Sequence, residues 1–485
     1  MTQAAVVVGS GPNGLAAAIT LARSRLSVTV FEGTATPGGG CRTAELTLPG
    51  LRHDVCSAVH PLAAASPFFR SLDLRARGVN LLTPPIAFAH PLDGGRAAAV
   101  TGDVASTAAG LGADAAAYER LLGPLTANAD QVLAAFLAPI RSPPVHAGPV
   151  RFLLNGLLPA SVLARRFSTP QARALLAGAS AHSFLPLTAP VSGGYGLLLT
   201  MLAHHAGWPA VEGGSARLTD AMVGELESLG GVVVTDRWIS SLRDLPPATI
   251  TLLDITPRQL AALAGPGLLQ GYGRALARYK YGPGVFKIDW ALSGQVPWTA
   301  EACRSAGTVH LGGSLAEIAS SEAEVSAGRH PRRPFCIVAQ PGVVDSSRAP
   351  AGQQVLWGYC HVPAGSTIDM TAPVEAQIER FAPGFRDLVL ARATLTAAEM
   401  ESYNPNYIGG DINGGQATLR QTLFRPVPRW NSYRTPLRGV YLCSSSTPPG
   451  GGVHGMCGMW AARTALADLR DQPRRNLYGG QDDGP

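Results

Sequence analysis

The stretch that decides the fold is Ala5-Val6-Val7-Val8-Gly9-Ser10-Gly11-Pro12-Asn13-Gly14, a short apolar strand and a glycine turn that opens an Ala- and Leu-rich helix. Its glycines follow the spacing G-x-G-x-x-G. In this pattern the first glycine permits a tight turn, the second lets the backbone approach a pyrophosphate, and the third lets the helix pack against the strand. The positive end of the helix then faces the phosphates. The stretch therefore predicts a dinucleotide-binding β-α-β unit.

An acidic residue and a second glycine-rich loop follow this turn. The predicted strand Ser27–Phe31 ends at Glu32, which lies 18 residues (32 − 14) after Gly14. This is close to the roughly 20 residues expected for the acid that binds ribose hydroxyls. Such an acid disfavours a 2′-phosphate, so FAD or NAD is favoured over NADP. The loop Gly38-Gly39-Gly40-Cys41-Arg42-Thr43 offers backbone N–H groups and a guanidinium, which suit a second contact on the diphosphate.

Features of a nucleotide-binding fold recur in the middle of the chain. The amphipathic run Ala216–Leu229 predicts a helix. Apolar segments predict three strands after it, over Val232–Thr235, Trp238–Leu242 and Thr249–Leu253. Alternating residues over Tyr279–Leu292 are typical of an antiparallel strand.

The end of the chain repeats the arrangement of its beginning. A strand is predicted over Gly439–Cys443 and a helix over Gly458–Asp471. The glycine-rich turn between them, Ser444–Gly455, has little side-chain bulk, so a flat ring system could approach its backbone. We therefore predict an α/β fold in which a discontinuous Rossmann-like domain carries an inserted α+β substrate domain.

The domain boundaries follow from these segments. The Rossmann-like domain is assigned to residues 1–71, 206–264 and 412–471, and the substrate domain to residues 72–205 and 265–411. Ala-rich stretches broken by prolines, as at Pro139–Pro149, predict that residues 72–205 are mostly helical. Residues 472–485 are expected to form a disordered tail.

Composition excludes several classes of protein. The 485 residues are 46% hydrophobic and 15% charged, which indicates a folded globular chain with room for two or three domains of roughly 150 residues. The net charge is +6, but the basic residues are scattered and form no stripe with interleaved aromatics. Nucleic-acid binding is therefore not expected.

The cysteines and histidines argue against several further kinds of site. The seven cysteines form no CxxC pair, which argues against a redox dithiol, a disulfide framework and a zinc site. The pair His204-His205 lacks further ligands, so no metal is predicted. We expect a cytoplasmic protein, with peripheral contact to a membrane left open.

The motifs at both ends carry a family resemblance. Val8–Gly14, Glu32 and Gly39–Thr43 resemble the two-part FAD signature of the amine oxidase and phytoene desaturase superfamily. Three further stretches are similar to the phytoene dehydrogenase-related branch, which includes bacterial carotenoid desaturases and the pyridine nucleotide-disulfide oxidoreductase domain protein 2 group: Tyr281–Trp290, Asn404–Asp411 and Pro448–Gly455. The resemblance covers nearly the whole chain and implies that the cofactor is FAD.

The resemblance also implies a place for each cofactor contact. The glycine turn would hold the diphosphate, Glu32 the adenosine ribose, and the backbone of Ile239 the adenine. The segment His53–His60 would run beside the isoalloxazine ring. The residues expected to contact FAD are Gly9, Gly11, Pro12, Asn13, Gly14, Glu32, Gly39, Gly40, Arg42, Ser57, Val59, Ile239, Ser445, Gly452, Val453 and His454.

No single catalytic residue stands out, because flavin N5 takes the hydride and the protein supplies orientation and electrostatics. The ionisable candidates near the ring are His53, His60 and His454, each of which is a proton carrier or a structural histidine. Lys287 is one of only two lysines, and we predict a structural ion pair for it.

Three functions fit the resemblance. The first is removal of hydride from carbon of a mostly apolar or polyene-like small molecule, which gives desaturation or dehydrogenation. The second is a redox-neutral, flavin-assisted isomerisation, and the third is non-enzymatic binding of lipid groups, as in the GDP-dissociation-inhibitor proteins. The sequence has no second G-x-G-x-x-G after a strand, so a built NAD(P)H site is not expected. The identity of the substrate, the electron acceptor and the oligomeric state are left open.

Overall fold

The computed structural model describes residues 4–139, 146–265, 268 and 270–471. The predicted tail, 472–485, and the centre of the predicted proline break lie outside the described residues. The strands, numbered in chain order, are β1 Ala4–Val8, β2 Ser27–Phe31, β3 Thr43–Ala44, β4 His53–Asp54, β5 Leu81–Leu82, β6 Ile86–Leu92, β7 Arg96–Thr101, β8 Ala210–Val211, β9 Val232–Val234, β10 Ile250–Leu253, β11 Gly284–Leu292, β12 Ala306–Leu311, β13 Cys336–Ala339, β14 Gln354–Val362, β15 Val389–Leu395 and β16 Val440–Leu442.

The α-helices are numbered in the same way. They are α1 Pro12–Ala22, α2 Pro61–Ala65, α3 Pro67–Arg70, α4 Val104–Gly110, α5 Ala115–Ala127, α6 Ala129–Phe136, α7 Ala147–Gly156, α8 Ala160–Leu163, α9 Pro170–Ala181, α10 Ser192–His205, α11 Ala216–Ser228, α12 Pro257–Ala264, α13 Gln270–Ala277, α14 Glu301–Arg304, α15 Leu315–Ser326, α16 Thr371–Phe381, α17 Ala397–Tyr403, α18 Leu419–Phe424 and α19 Met456–Asp471.

β1 is the central strand of a five-stranded parallel sheet with the order β16-β10-β1-β2-β9. Both faces of this sheet are covered. Val7 packs in a core with α1, α11 and α19, whereas Val6 and Val8 pack in a core with residues of α12 and α13. Burial on both sides explains why β1 is apolar at every position.

The five strands come from three distant parts of the chain. β1 and β2 lie near its beginning, β9 and β10 in its middle, and β16 near its end, where Thr251 pairs with Val440. The predicted strand over Trp238–Leu242 is wrong. Asp236 takes a left-handed φ of 53°, Trp238–Ser240 join no strand, and Ser241 caps a short 3₁₀ turn over Leu242–Asp244.

A second, seven-stranded mixed sheet has the order β15-β11-β14-β13-β12-β6-β7. β11 is buried along its whole length and pairs antiparallel with β14 and β15, as its alternating sequence predicted. Phe286, Ile288 and Trp290 share one core, whereas Val285 belongs to another.

Residues 72–205 are mostly helical, as predicted, but the prediction missed three strands, the two-residue β5 and the longer β6 and β7. β6 pairs with β12 in parallel and with β7 antiparallel. β7 reads Arg-Ala-Ala-Ala-Val-Thr, which favours a helix locally, so pairing with distant residues outweighs its propensity.

The described residues contain no single helix long and apolar enough to cross a bilayer. Two neighbouring segments, Ala147–Gly156 and Ala160–Arg166, have the length and composition together, but a bend of 104° separates them.

Candidate functional site

Two cavities of about 310 and 110 Å³ meet at the carboxyl ends of β1 and β10. The residues that line both cavities are Gly11, Gly39, Asp254, Asn404 and Asn406. The smaller cavity extends towards the end of β2, whereas the larger one extends to the seven-stranded sheet. We call the two together the cleft. Its position matches the rule that open parallel sheets bind ligands at the carboxyl ends of their strands.

The glycine turn forms the junction of the two cavities. Gly9 has a φ of 96°, and a Cβ atom on Gly14 would lie 2.0 Å from the carbonyl oxygen of Gly9. Gly11 is the N-cap of α1 and supplies no side-chain hydrogen bond. A Cβ atom on Gly39 would lie 3.0 Å from the Cα of Gly11, so the two glycine loops touch each other. The junction therefore offers backbone N–H groups and no side-chain bulk, as an anion requires.

Glu32 lines the smaller cavity with its carboxylate already bound by the protein. Oε2 accepts from the backbone N–H of Ser10 at 3.1 Å and from its hydroxyl at 2.5 Å. Oε1 accepts from the backbone N–H of Thr34 at 3.0 Å and from its hydroxyl at 2.8 Å. Arg42 Nη2 lies 3.6 Å from Oε1. The hydroxyls of Ser10 and Thr34 can rotate, so a ribose hydroxyl can take the place of either.

Asp254, which the sequence analysis did not single out, lines both cavities. It follows β10 directly, and its Oδ2 accepts from the backbone N–H of Gly14 at 2.8 Å. Burial raises the pKa of this carboxyl to about 7, Glu32 adds to the rise, and the hydrogen bond from Gly14 opposes it. An acid at the end of an apolar parallel strand was the only sequence feature that pointed to it.

The predicted flavin contacts lie along the larger cavity. Most predicted residues line the cleft: Gly9, Gly11, Pro12, Asn13, Glu32, Gly39, Gly40, Arg42, Ser57, Val59, His60, Ile239, Ser445, Gly452 and Val453. Gly14 lies behind the turn, against Asp254, while His53 and His454 lie behind the wall of the cleft. The structure thus brings the predicted residues together, and their contacts with a cofactor stay predictions.

The three histidine candidates are buried and hydrogen-bonded within the protein. His60 Nε2 lies 2.8 Å from the hydroxyl of Ser215, and burial lowers the pKa of His60 to about 4. His454 Nδ1 accepts from the backbone N–H of Met456 at 3.0 Å, and its Nε2 lies 3.1 Å from the carbonyl oxygen of Gly450.

Burial lowers the pKa of His454 also to about 4, so His60 and His454 are neutral near pH 7. His53 Nε2 lies 2.8 Å from the hydroxyl of Thr47, and its Nδ1 lies 3.5 Å from Asp289. Of the three, only His60 lines the cleft.

Lys287 lies behind the same wall. Its Nζ is paired with Asp289 and lies 5.1 Å from the ring centre of Trp357, which lines the larger cavity. The predicted ion pair is confirmed. Burial lowers the pKa of Lys287, and Asp289 opposes that shift.

The rest of the larger cavity is mainly aromatic and aliphatic. Its wall on the side of the helices and of the seven-stranded sheet contains Phe136, His182, Tyr195, Leu198, Leu199, Trp208, Thr308, Ile337, Trp357, Tyr359 and Ile412. No Lys, Arg or Glu is among the described residues that line this cavity. Such a wall suits an apolar molecule with few polar groups.

The fold agrees with known oxidoreductases. An oxidoreductase from Methanosarcina mazei aligns with a TM-score of 0.65 at 16% identity, over 95% of this chain and 99% of that one. Putrescine oxidase with bound putrescine aligns with a TM-score of 0.59 at 17% identity, over 97% of this chain and 99% of that one. The chain has the fold of the amine oxidases. The predicted α/β fold class is therefore confirmed.

Sequence comparisons agree with this amine oxidase fold. Residues 7–72 match the family of NAD(P)-binding Rossmann-like domains. Mouse pyridine nucleotide-disulfide oxidoreductase domain-containing protein 2 is 26% identical over 96% of this chain and 94% of its own length. The 4,4′-diapolycopen-4-al dehydrogenase of Metabacillus indicus is 30% identical over 25% of this chain and 26% of its own length. The predicted resemblance is confirmed.

Proposed function

We propose that this chain is an FAD-dependent oxidoreductase that takes hydride from carbon of a mostly apolar small molecule. One observation carries the proposal: a single cleft joins a dinucleotide turn to an aromatic and aliphatic cavity. The turn would hold the diphosphate, and the cavity would hold the substrate against the flavin.

The residues of the cleft fit a dinucleotide. Among the buried polar atoms of lining residues that lack a hydrogen-bond partner in the protein are Asn13 Oδ1, Arg42 Nε and Asn406 Oδ1. Buried polar atoms are rarely left unpaired, so these are available to a polar ligand. They lie on both sides of the glycine turn, in the two cavities where the halves of FAD would lie.

In this proposal the bound flavin supplies the hydride acceptor, and the chain supplies position and solvent exclusion. In the turn Gly9–Gly14, the backbone N–H groups of Gly11 and Asn13 would bind the diphosphate, and Glu32 would accept from ribose hydroxyls. Trp357 and Tyr359 would hold the substrate, with its C–H about 3–3.5 Å from the acceptor. His60 is neutral near pH 7 and keeps its bond to Ser215, which orients the wall segment beside the ring.

The wall of the larger cavity supports an apolar class of substrate. Its aromatic and aliphatic residues exclude water and favour a polyene-like or otherwise apolar molecule. The name of the M. indicus relative describes the dehydrogenation of a polyene aldehyde, although that similarity covers a quarter of this chain. We further propose that the organic substrate itself reduces the flavin, because the sequence offers one nucleotide turn.

The test begins with the purified protein. We expect a yellow protein that releases FAD on heating. Anaerobic mixing with a panel of polyenes, amines and alcohols should bleach the flavin with at least one polyene or other apolar compound. A colourless protein that FAD does not reconstitute would refute the proposal and favour the lipid-group binder. Product formation without net bleaching, and only after prior reduction of the flavin, would favour the isomerase.

A further inference from the structure

A row of three histidines runs inward from the substrate wall of the larger cavity; His90 and His310 are buried, and His182 is half-buried. His182 lines the cavity at the end of α9, and its Nε2 lies 2.9 Å from Nε2 of His310 on β12. Behind them, His90 Nε2 lies 2.6 Å from the carbonyl oxygen of Gly313. None of the three belongs to the dinucleotide end of the cleft.

The packing of α9 shows that this row is built closely. A Cβ atom on Gly178 would lie 2.9 Å from Nδ1 of His90 and 3.0 Å from Nδ1 of His310. A glycine at this point lets the helix rest on both imidazole rings. The rings of His182 and His310 are 4.9 Å apart and meet edge to face.

All three histidines are neutral near pH 7. Burial lowers the pKa of His182 to about 3 and that of His90 to about 4, and it lowers the pKa of His310 well below its ordinary value. A neutral imidazole carries one proton, so one nitrogen donates and the other accepts.

The hydrogen bonds then assign the protons along the row. His310 Nδ1 is buried and has no partner. An orphaned buried N–H is rarer than an unfilled acceptor, so the proton of His310 lies on Nε2 and is donated to Nε2 of His182. The proton of His182 is therefore on Nδ1, which has no hydrogen-bond partner among the described residues.

We infer that His182 presents this Nδ1–H to the cavity and binds an uncharged acceptor, a carbonyl or hydroxyl oxygen, on an otherwise apolar substrate. His310 is the positioning residue that fixes the tautomer. The inference rests on the proposed function and names the polar group of its substrate.

Two further observations support a polar contact at this wall. Thr308 is 1% exposed and lines the cavity, and its hydroxyl has no partner in the protein. Trp357 Nε1 is also buried and unpaired on a lining residue. Since no Lys or Arg is among the described lining residues, a carboxylate would lack a counter-charge. A substrate ammonium group would also be unfavourable there, because both it and the Nδ1–H of His182 are hydrogen-bond donors.

The test compares two probes with the protein as purified. The probes are β-ionone and its analogue in which CH₂ replaces the carbonyl group, and binding is followed by tryptophan fluorescence, because Trp208 and Trp357 line the cavity. A neutral hydrogen bond of about 1–1.5 kcal/mol predicts that the ketone binds about 5- to 12-fold more tightly.

His182→Phe keeps a flat ring without the donor, so it should remove this preference, which is measured as the ratio of the two Kd values. His182→Gln restores a donor and should recover part of the preference. His310→Phe removes the hydrogen bond that fixes the tautomer of His182. It should therefore reduce the preference, although His310 does not touch the probe. His330→Phe is the matched control, because His330 bonds to Ser366 outside the cleft.

The inference is refuted if the wild type shows no preference, or if folded His182→Phe keeps it. Flavin content is measured on the same samples, so the two proposals fail separately. A yellow protein without the preference rejects this inference alone. A colourless protein that keeps the preference rejects the proposed function alone.

Discussion

Replacing Asp254 by Asn should remove a pH-dependent loss of stability. The carboxyl of Asp254 is buried at the junction of the cleft, and its pKa rises from 3.8 to about 7. Between these values the folded protein holds a proton that the unfolded chain releases. Stability therefore falls as the pH rises through this window.

The shift sets the size of the effect. A pKa shift of about three units, at about 1.4 kcal/mol per unit, corresponds to a loss of about 4 kcal/mol of folding stability. About 3 kcal/mol of this loss falls between pH 5 and pH 8. In Asp254→Asn the amide oxygen can still accept from the N–H of Gly14, and no proton is exchanged. When the pH is raised from 5 to 8, the free energy of unfolding of the variant should therefore rise by about 3 kcal/mol relative to that of the wild type.

Urea unfolding of both proteins at pH 5 and pH 8 measures this difference, because other titrating groups cancel between variant and wild type. Flavin retention gives a second measurement. In the proposed complex an ionised Asp254 would face the same turn as the FAD phosphates, so the Kd of the wild type for FAD should rise above pH 7 by up to about tenfold per pH unit. The Kd of the variant should stay level. An equal stability difference at the two pH values would show that Asp254 is ionised in the folded protein at pH 5 and would refute the reasoning.

Three further predictions follow from the cleft and its support. Glu32→Ala should weaken FAD retention at least about tenfold, since charge-assisted hydrogen bonds contribute about 1.5–3 kcal/mol each; flavin content after dialysis measures it, and exposed Glu119→Ala is the control. Gly458→Ala should sharply lower the thermal midpoint, because its Cβ would lie 1.8 Å from the carbonyl oxygen of Asn13, whereas a Cβ on exposed Gly224 meets no atom within 4 Å and Gly224→Ala should stabilise α11 by up to about 1 kcal/mol. NADH and NADPH should bleach the flavin only slowly and without saturation in anaerobic stopped-flow experiments. Rapid saturable bleaching would contradict the prediction that the chain has no built NAD(P)H site.

The parts of the site that rest on local sequence were predictable. The turn Gly9–Gly14 and the acid Glu32 follow from spacing within one β-α-β unit, and they lie where the pattern placed them. The end of the chain was also predictable, because β16 and α19 repeat the pattern of the beginning.

The rest depends on contacts between distant residues. β7 is Ala-rich and becomes a strand only because β6 pairs with it. His182 and His310 are 128 residues apart, so no spacing in the sequence relates them. Asp254 gained its importance from burial against Gly14 and from its nearness to Glu32, which the sequence does not record.

The split origin of the parallel sheet has a consequence for synthesis on the ribosome. β1 is made first, and its neighbour β10 pairs on its other side with β16. β16 lies about 440 positions after β1 in the chain. At about 5–20 residues per second, β16 follows β1 only after about 20–90 s of translation. Gly458 of α19 packs against Asn13 in the glycine turn, so the turn also lacks its cover during that time. The apolar parallel sheet is therefore exposed to aggregation until β16 and α19 have been made, and the glycine turn can close around a ligand only then.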